Sequence, residues 1–381
     1  MRVLITVGAL GPIGGAQAYV RDLAVWLLRQ GHLPVVYGPE HGRTAAQLAR
    51  LTIPVTDDLS TLGVAPDLIH GNSAVETMTA LMHFTKTPAI FVCHGWRPDI
   101  TGAPGFPRIL HYVAVDDTCA DRLLCKESVP PEKLTVLLNG VDTARFPPRA
   151  VPLPARPARA LVFGNAAHAA GHAAIVEEAC RRAGIALDVV GEFAGTAVDA
   201  PETMLRNYDL VFAKAKCALE GMASGAAVIV CEGSGLGGLV TTQNLERLRR
   251  LNFGIRTLML TALTVESVSR EIAAYDASDA TAVAATIRAT ATADTLHEQL
   301  LQLYESVLEE HRRKEPEGWE AESHAAASFL RLLASERRPA DANLNLVVQA
   351  AHRVLRAPIV GPTLTRVARW IVNRGKEGGR L

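Results

Sequence analysis

Two lysines and a glutamate near the end of an apolar run are the residues best placed for chemistry. Lys214, Lys216 and Glu220 lie in the stretch Tyr208-Asp209-Leu210-Val211-Phe212-Ala213-Lys214-Ala215-Lys216-Cys217-Ala218-Leu219-Glu220-Gly221-Met222-Ala223-Ser224-Gly225. Residues 208–213 read as a buried strand and residues 218–223 as a short helix. Lysines at such a turn, over the free amides of a helix start, form a natural diphosphate-binding arrangement. Glu220 is expected in the first helical turn, where a carboxylate gains roughly 0.3–1 kcal/mol from the helix dipole. That gain alone would also account for its presence.

The histidines and glycine clusters are the other candidates. His70 and His94 each end an apolar run on the carboxyl side, where ligands of a doubly wound sheet bind. Either could hydrogen-bond a substrate or exchange a proton near neutral pH, or could simply be satisfied by neighbouring backbone. His168 and His172 could touch phosphate. Gly8, Gly11, Gly14 and Gly15 precede a helix, and Gly233, Gly235, Gly237 and Gly238 follow a second apolar run. The first cluster lacks G-x-G-x-x-G spacing. No acid ends the next strand, where Gly38 and Pro39 stand with Glu40 beyond. It is therefore a weak dinucleotide signature, and close strand–helix packing explains it equally well.

These residues need a scaffold, and the hydrophobic pattern supplies one. Residues 3–7 read as a strand buried on both faces. Tyr19, Val20, Leu23, Trp26 and Leu27 recur at helical spacing over residues 16–30, and residues 33–37 form the next strand. Further short strands are expected at 67–70, 89–93, 112–115 and 134–138. Residues 146–157 hold five prolines, so they read as a linker. Strand–helix alternation then restarts, with strands at 160–163, 187–190, 208–213 and 226–231 and a helix at 172–183. From about residue 265 only helices are expected, including a long one over 281–311. Alternation of this kind means parallel sheets covered on both faces. We divide the chain into residues 1–150, 151–330 and 331–381.

Bulk composition narrows the function. The 381 residues carry no net formal charge and are 49% apolar, which gives no general attraction to nucleic acid. The cysteines Cys93, Cys119, Cys125, Cys180, Cys217 and Cys231 are scattered without a C-x-x-C pair. They read as reduced thiols of a cytoplasmic protein rather than metal ligands. The N-terminus lacks a signal-peptide pattern, and no stretch has the length of a membrane span.

Four pieces together resemble retaining glycosyltransferase family 4. Glu220-Gly221-Met222-Ala223-Ser224-Gly225-Ala226-Ala227-Val228-Ile229 is similar to that family's E-A-M-A-x-G-x-P-V-V stretch. Gly14-Gly15-Ala16, Leu23-Ala24 and Gly31-His32 resemble its first loop, helix and turn. Asp67-Leu68-Ile69-His70 with His94-Gly95 resembles its central strands. Pro130-Pro131-Glu132-Lys133-Leu134-Thr135-Val136-Leu137-Leu138-Asn139-Gly140-Val141-Asp142, followed by Arg145-Phe146, is close to P-P-E-K-I-x-V-I-x-N-G-V-D-x-x-x-F. The pieces come in family order over about residues 1–260.

The resemblance implies an α/β GT-B fold: two Rossmann-like domains around a cleft, here with a helical C-terminal extension. It implies sugar transfer, with retention, from a nucleotide-diphosphate sugar to a glycan, lipid-linked or small-molecule acceptor, as in polysaccharide biosynthesis, without a metal or other cofactor. The acceptor would sit on the N-terminal domain. Glu220 would hold the donor ribose, and His94 would act catalytically with it. Gly14, Gly15, Lys214, Lys216, Gly235, Leu236 and Gly237 would contact the donor. Asp142 would make a turn or hinge.

This sequence departs from the family in two places. Eight positions before Glu220, where the family carries a first glutamate, stands Phe212. The family's Arg and Lys after the second domain's first strand are replaced by Gly164-Asn165-Ala166-Ala167-His168-Ala169-Ala170-Gly171-His172. Lys214 and Lys216 would supply the lost charge. A catalytically silent GT-B module binding a glycan or partner, or a sugar-nucleotide epimerase, are the alternative readings. Finally, residues 344–381 carry seven Lys/Arg and one acid. Leu364, Val367, Ala368, Ile371 and Val372 fall at helical spacing there. Such a segment could rest on the inner face of an anionic membrane, or pack across the domains.

Overall fold

The computed structural model describes residues 1–11, 14–96, 102–167, 171–313 and 318–336. The basic segment 344–381 and His168 lie outside the described residues. Residues Met1–Glu322 form one compact unit; the chain from Ser323 is a second, described only along its first helix. No helix among the described residues is long and apolar enough to cross a membrane.

The first sheet has seven parallel strands: β1 (Arg2–Thr6), β2 (Leu33–Tyr37), β3 (Val55–Thr56), β4 (Leu68–Gly71), β5 (Ala89–Cys93), β6 (Ile109–Ala114) and β7 (Leu134–Val136). Their order is β3-β2-β1-β4-β5-β6-β7. Central β1 and β5 are almost wholly buried because helices cover both faces. That is why they read as unbroken apolar runs rather than alternating ones. Helices α1 (Gly15–Arg29), α2 (Arg43–Arg50), α3 (Ala74–His83) and α4 (Asp117–Asp121) connect these strands.

The second sheet is built from β8 (Arg159–Phe163), β9 (Ala186–Val190), β10 (Leu210–Ala213), β11 (Ala227–Glu232) and β12 (Gly235–Leu239), in the order β12-β11-β10-β8-β9. Helices α5 (His172–Ala183), α6 (Glu202–Leu205) and α7 (Ala215–Ala223) lie between its strands. Alternate residues of β10 enter opposite cores: Val211 packs with Met222, Leu248 and Ile287, and Phe212 with Val176, Ile229 and Val268. β12 runs antiparallel to β11. The glycine cluster at 235–237, expected as a ligand loop, is therefore an edge strand, with Leu236 only 1% exposed.

Helices follow from there: α8 (Leu245–Arg250), α9 (Ile255–Leu258), α10 (Val265–Ala273), α11 (Ala277–Thr290), α12 (Ala293–Arg313) and α13 (Trp319–Glu336). The expected long helix is thus two, broken at Thr292. The Thr292 hydroxyl caps the new start by accepting from Thr295 N at 3.2 Å. The break serves a crossing. Val141 N donates to Ala291 O at 2.8 Å, and Ala293 N donates to Val141 O at 2.9 Å. The Asn139–Asp142 turn and the α11–α12 joint therefore run side by side. Gly140 is required here, since a Cβ would lie 2.5 Å from Thr292 O and 2.8 Å from Ala293 N. Beyond the joint, α12 returns to the first sheet. Tyr304 OH lies 2.6 Å from His70 Nδ1, and the His297 ring sits 5.4 Å from Trp26. Residues 293–313 thus pack on the first sheet rather than the second, where the division at residue 330 had put them.

Candidate functional site

A cleft of about 420 Å³ opens between the carboxyl ends of the second sheet and the start of α1. That volume lies in the range of small-molecule sites. Phe163 at the end of β8 with Gly164 and Asn165 after it, and Val190 at the end of β9 with Gly191 after it, form one wall. Lys214, Lys216 and Glu220 after β10, with Glu232 at the end of β11, form the next. Gly14, Gly15, Ala18 and Arg21 face them from α1, with Arg43 and Arg145 completing the ring. Gly191 lets two strand ends meet, because a Cβ there would stand 2.2 Å from Gly164 O.

The two lysines point to different partners. Ala215 between them has φ +49°, a left-handed conformation that costs a non-glycine residue of order 1 kcal/mol. On one side of this kink, Lys214 Nζ pairs with Glu232 Oε1 at 2.6 Å. On the other, Lys216 Nζ reaches Asp22 Oδ2 of α1 at 2.5 Å. Arg21 also contacts Asp22, at 2.6 Å. Arg145 lies 3.9 Å from Asp22 and donates to Glu202 at 2.9 Å. The Asp142 carboxylate accepts from Arg145 N at 2.9 Å, so the turn read from the sequence also aims this arginine.

Glu220 is 7% exposed and lines the cleft. It sits in the middle of α7, not in its first turn, because the helix begins at Ala215. The dipole account of this residue therefore fails. Gly235, Leu236 and Gly237 do not line the cleft. Phe212, eight positions before Glu220, does. His172 lines it from the start of α5.

Residues 58–145 match the family model Glycosyltransferase Family 4. A glycosyltransferase from Rickettsia africae superposes with a TM-score of 0.59 at 14% identity, covering 81% of this chain and 98% of that one. HepE of Anabaena in complex with UDP-glucose superposes with a TM-score of 0.57 at 14% identity, covering 80% and 100%. The fold is GT-B. No curated protein sequence matches the chain.

In this GT-B cleft, electrostatics distinguish the acids. Burial pushes the Glu220 carboxyl up to about 7; Lys216, Arg145 and Arg21 offset only part of that, and Asp22 adds to it. No side-chain hydrogen bond ties the carboxylate to a described residue, so it remains available to a ligand. For Asp22, burial acts in the same direction, but the adjoining Lys216 and Arg21 outweigh it and hold the group down at about 2. The cleft carboxyl Glu220 and the Asp22 carboxyl behind Lys216 are thereby separated, one poised near neutrality and one fixed as an anion.

The histidines behave differently from the simplest expectation. His70 is fully buried between Tyr19 and Tyr304, and burial with the nearby His94 lowers it to about 3. It is a packing residue of the first sheet. His94 follows β5, with Nε2 2.7 Å from Asn72 Oδ1 and its ring edge-on to Tyr19. Burial and the Lys216 ammonium lower it to about 4, so its imidazole is neutral. It stands outside the lined cleft. The sequence reasoning missed Arg21, Asp22 and Asp199, and named Arg145 only as part of a signature. Arg43 Nη1 meets Asp199 at 3.3 Å across the cleft mouth. Nothing in the sequence pairs residues so far apart. Among the described residues, no three His, Cys, Asp or Glu side chains gather as a metal site.

Proposed function

We propose that the chain transfers a sugar, with retention, from a nucleoside-diphosphate sugar to an acceptor hydroxyl on a glycan, lipid-linked or small-molecule acceptor. The observation carrying this reading is the buried carboxyl of Glu220 beside Lys216, Arg145 and Arg21 at the strand ends of a GT-B cleft. Ionised Glu220 accepts the ribose hydroxyls. Lys216 and Arg145, with Lys214 at the rim, face the diphosphate, and the Gly14–Gly15 helix start adds free amides. As the bond from the anomeric carbon to the diphosphate oxygen breaks, negative charge builds on the leaving group, where these cations act. The acceptor oxygen forms the new bond, and its proton passes to the departing diphosphate. This scheme draws its positive charge from side chains and amides and invokes no metal. His94, neutral, held by Asn72 and outside the cleft lining, is given no role as an imidazolium acid in this scheme.

The similarity to HepE, crystallised with UDP-glucose, supports a nucleotide-sugar donor. Phe212 in place of an acid favours a second reading, a GT-B module that binds without turnover. Hydrolysis of UDP-, GDP- and ADP-glucose separates the two. Turnover that is lost in Glu220→Ala supports the transferase. Tight binding of a donor with no turnover, even with candidate acceptors present, supports the silent module.

A further inference from the structure

The cleft is chemically lopsided. Lys214, Lys216, Arg21 and Arg145 stand with Glu220 toward β10 and α1, whereas the end at β9 carries exposed apolar side chains, with Arg43 there already paired to Asp199. Phe193 is 72% exposed and Val198 38% exposed, and both line the cleft. An aromatic ring so open to water gains nothing from the fold it sits on.

The loop that carries it is nonetheless ordered by its own hydrogen bonds. Phe193 N donates to Asn165 O at 3.1 Å, Gly195 N to Glu192 O at 3.0 Å, and Thr196 N to Gly191 O at 3.2 Å. The Thr196 hydroxyl donates to Val189 O at 2.8 Å. The ring is thus displayed by a braced loop rather than left over from a loose one. Among the described residues, the charged groups lining this end are the acids Glu192 and Asp199 and one cation, Arg43, whose charge is met by Asp199 across the mouth. Phosphate is therefore disfavoured at this end.

The spacing fits one kind of ligand. β9 lies two strands from β10 in the sheet, about 10 Å at the usual strand separation. That is the order of the reach of a nucleoside from its diphosphate, across the ribose, to its base. We propose that Phe193, backed by Val198, is the stacking platform for the planar base of a nucleoside diphosphate. The phosphates lie toward Lys216 and Arg145, and the ribose over Glu220. This inference rests on the donor reading above and assigns its base-recognising end. Stacking on an aromatic ring contributes through the π-face and tolerates different bases.

Calorimetry with UDP, GDP, ADP and inorganic pyrophosphate tests it on wild type, Phe193→Ala and Phe193→Trp. Phe193 is exposed, so its truncation leaves the core intact. For the nucleotide that wild type binds best, Phe193→Ala is expected to weaken affinity about tenfold. Phe193→Trp should retain it, and pyrophosphate affinity should be equal in all three proteins. Unchanged nucleotide affinity in Phe193→Ala, or an equal loss for pyrophosphate, overturns the platform and leaves the donor reading standing. If wild type binds none of the three nucleotides more tightly than pyrophosphate, the donor reading fails, and the platform with it.

Discussion

Lys216 Nζ meets Asp22 Oδ2 at 2.5 Å, joining the end of β10 in the second sheet to α1 on the first. A cation lining the cleft is therefore held from behind by an anion of the other sheet. Its position depends on the two sheets being together.

Removing that anion should cost stability in a pH-dependent way. Asp22 is held at about 2, below its ordinary 3.8. A lowered carboxyl contributes stability that is present above the unfolded value and lost as pH falls through the folded one. Asp22→Asn is expected to lower unfolding stability by about 2 kcal/mol near neutral pH, with the difference shrinking toward pH 2. Chemical denaturation over a pH series reads this. An equal deficit at every pH would mean that the ion pair is not the cause.

Glu220 should show the opposite sign. Its carboxyl is raised to about 7 from 4.5. The folded state then holds a proton that the unfolded state releases between these values, and stability falls as pH rises through that window. Glu220→Gln should therefore match wild type near pH 4 and exceed it by up to about 3 kcal/mol above pH 8. Donor binding runs the other way, since ribose hydroxyls donate to the ionised form. Wild-type affinity should drop about tenfold between pH 8 and pH 6, while the glutamine variant binds weakly at both. A flat wild-type profile would remove Glu220 from the ribose.

The crossing of the two chain connections gives a steric prediction. A Cβ on Gly140 meets the backbone of Thr292 and Ala293, which cannot move aside as a side-chain tip can. Gly140→Ala should destabilise the protein by about 1–3 kcal/mol, read as a lower urea midpoint. An unchanged midpoint would show that the joint between α11 and α12 yields freely.

The return of α12 to the first sheet can be tested at one atom. Tyr304→Phe deletes the hydroxyl 2.6 Å from His70 Nδ1 and leaves a buried ring nitrogen without that partner. The cost should be about 1–3 kcal/mol. A loss that persists when His70 is replaced by an apolar residue would assign it to packing instead.

Much of the fold was readable because burial on both faces leaves a simple trace. The apolar runs read at 3–7, 89–93, 208–213 and 226–231 became strands β1, β5, β10 and β11, with ends shifted by a residue or two. The prolines at residues 147–157 stand between the two sheets. Periodicity shows that a helix has an apolar face but not what that face meets, so the return of α12 could not be seen. Glycines 235, 237 and 238 looked like a loop because they lack side chains to alternate; pairing with β11 is a tertiary fact. In the site, Glu220, Lys214 and Lys216 were legible because they share one short segment. Asp22 and Arg145 were not, since Lys216 finds Asp22 across 194 positions. The position of Glu220 was misjudged by a helix start three residues too late, which turned a desolvated mid-helix carboxyl into an apparent dipole partner.

The most direct test of the donor site is a thermal-shift series with UDP-, GDP- and ADP-glucose on wild type and Glu220→Ala. A ligand that binds only the native state raises Tm with its concentration. One of the three sugar nucleotides is expected to raise the wild-type Tm in a saturable way, and the same ligand should leave Glu220→Ala nearly unmoved. A wild-type Tm indifferent to all three, or an equal rise in the variant, would contradict a sugar-nucleotide site centred on Glu220.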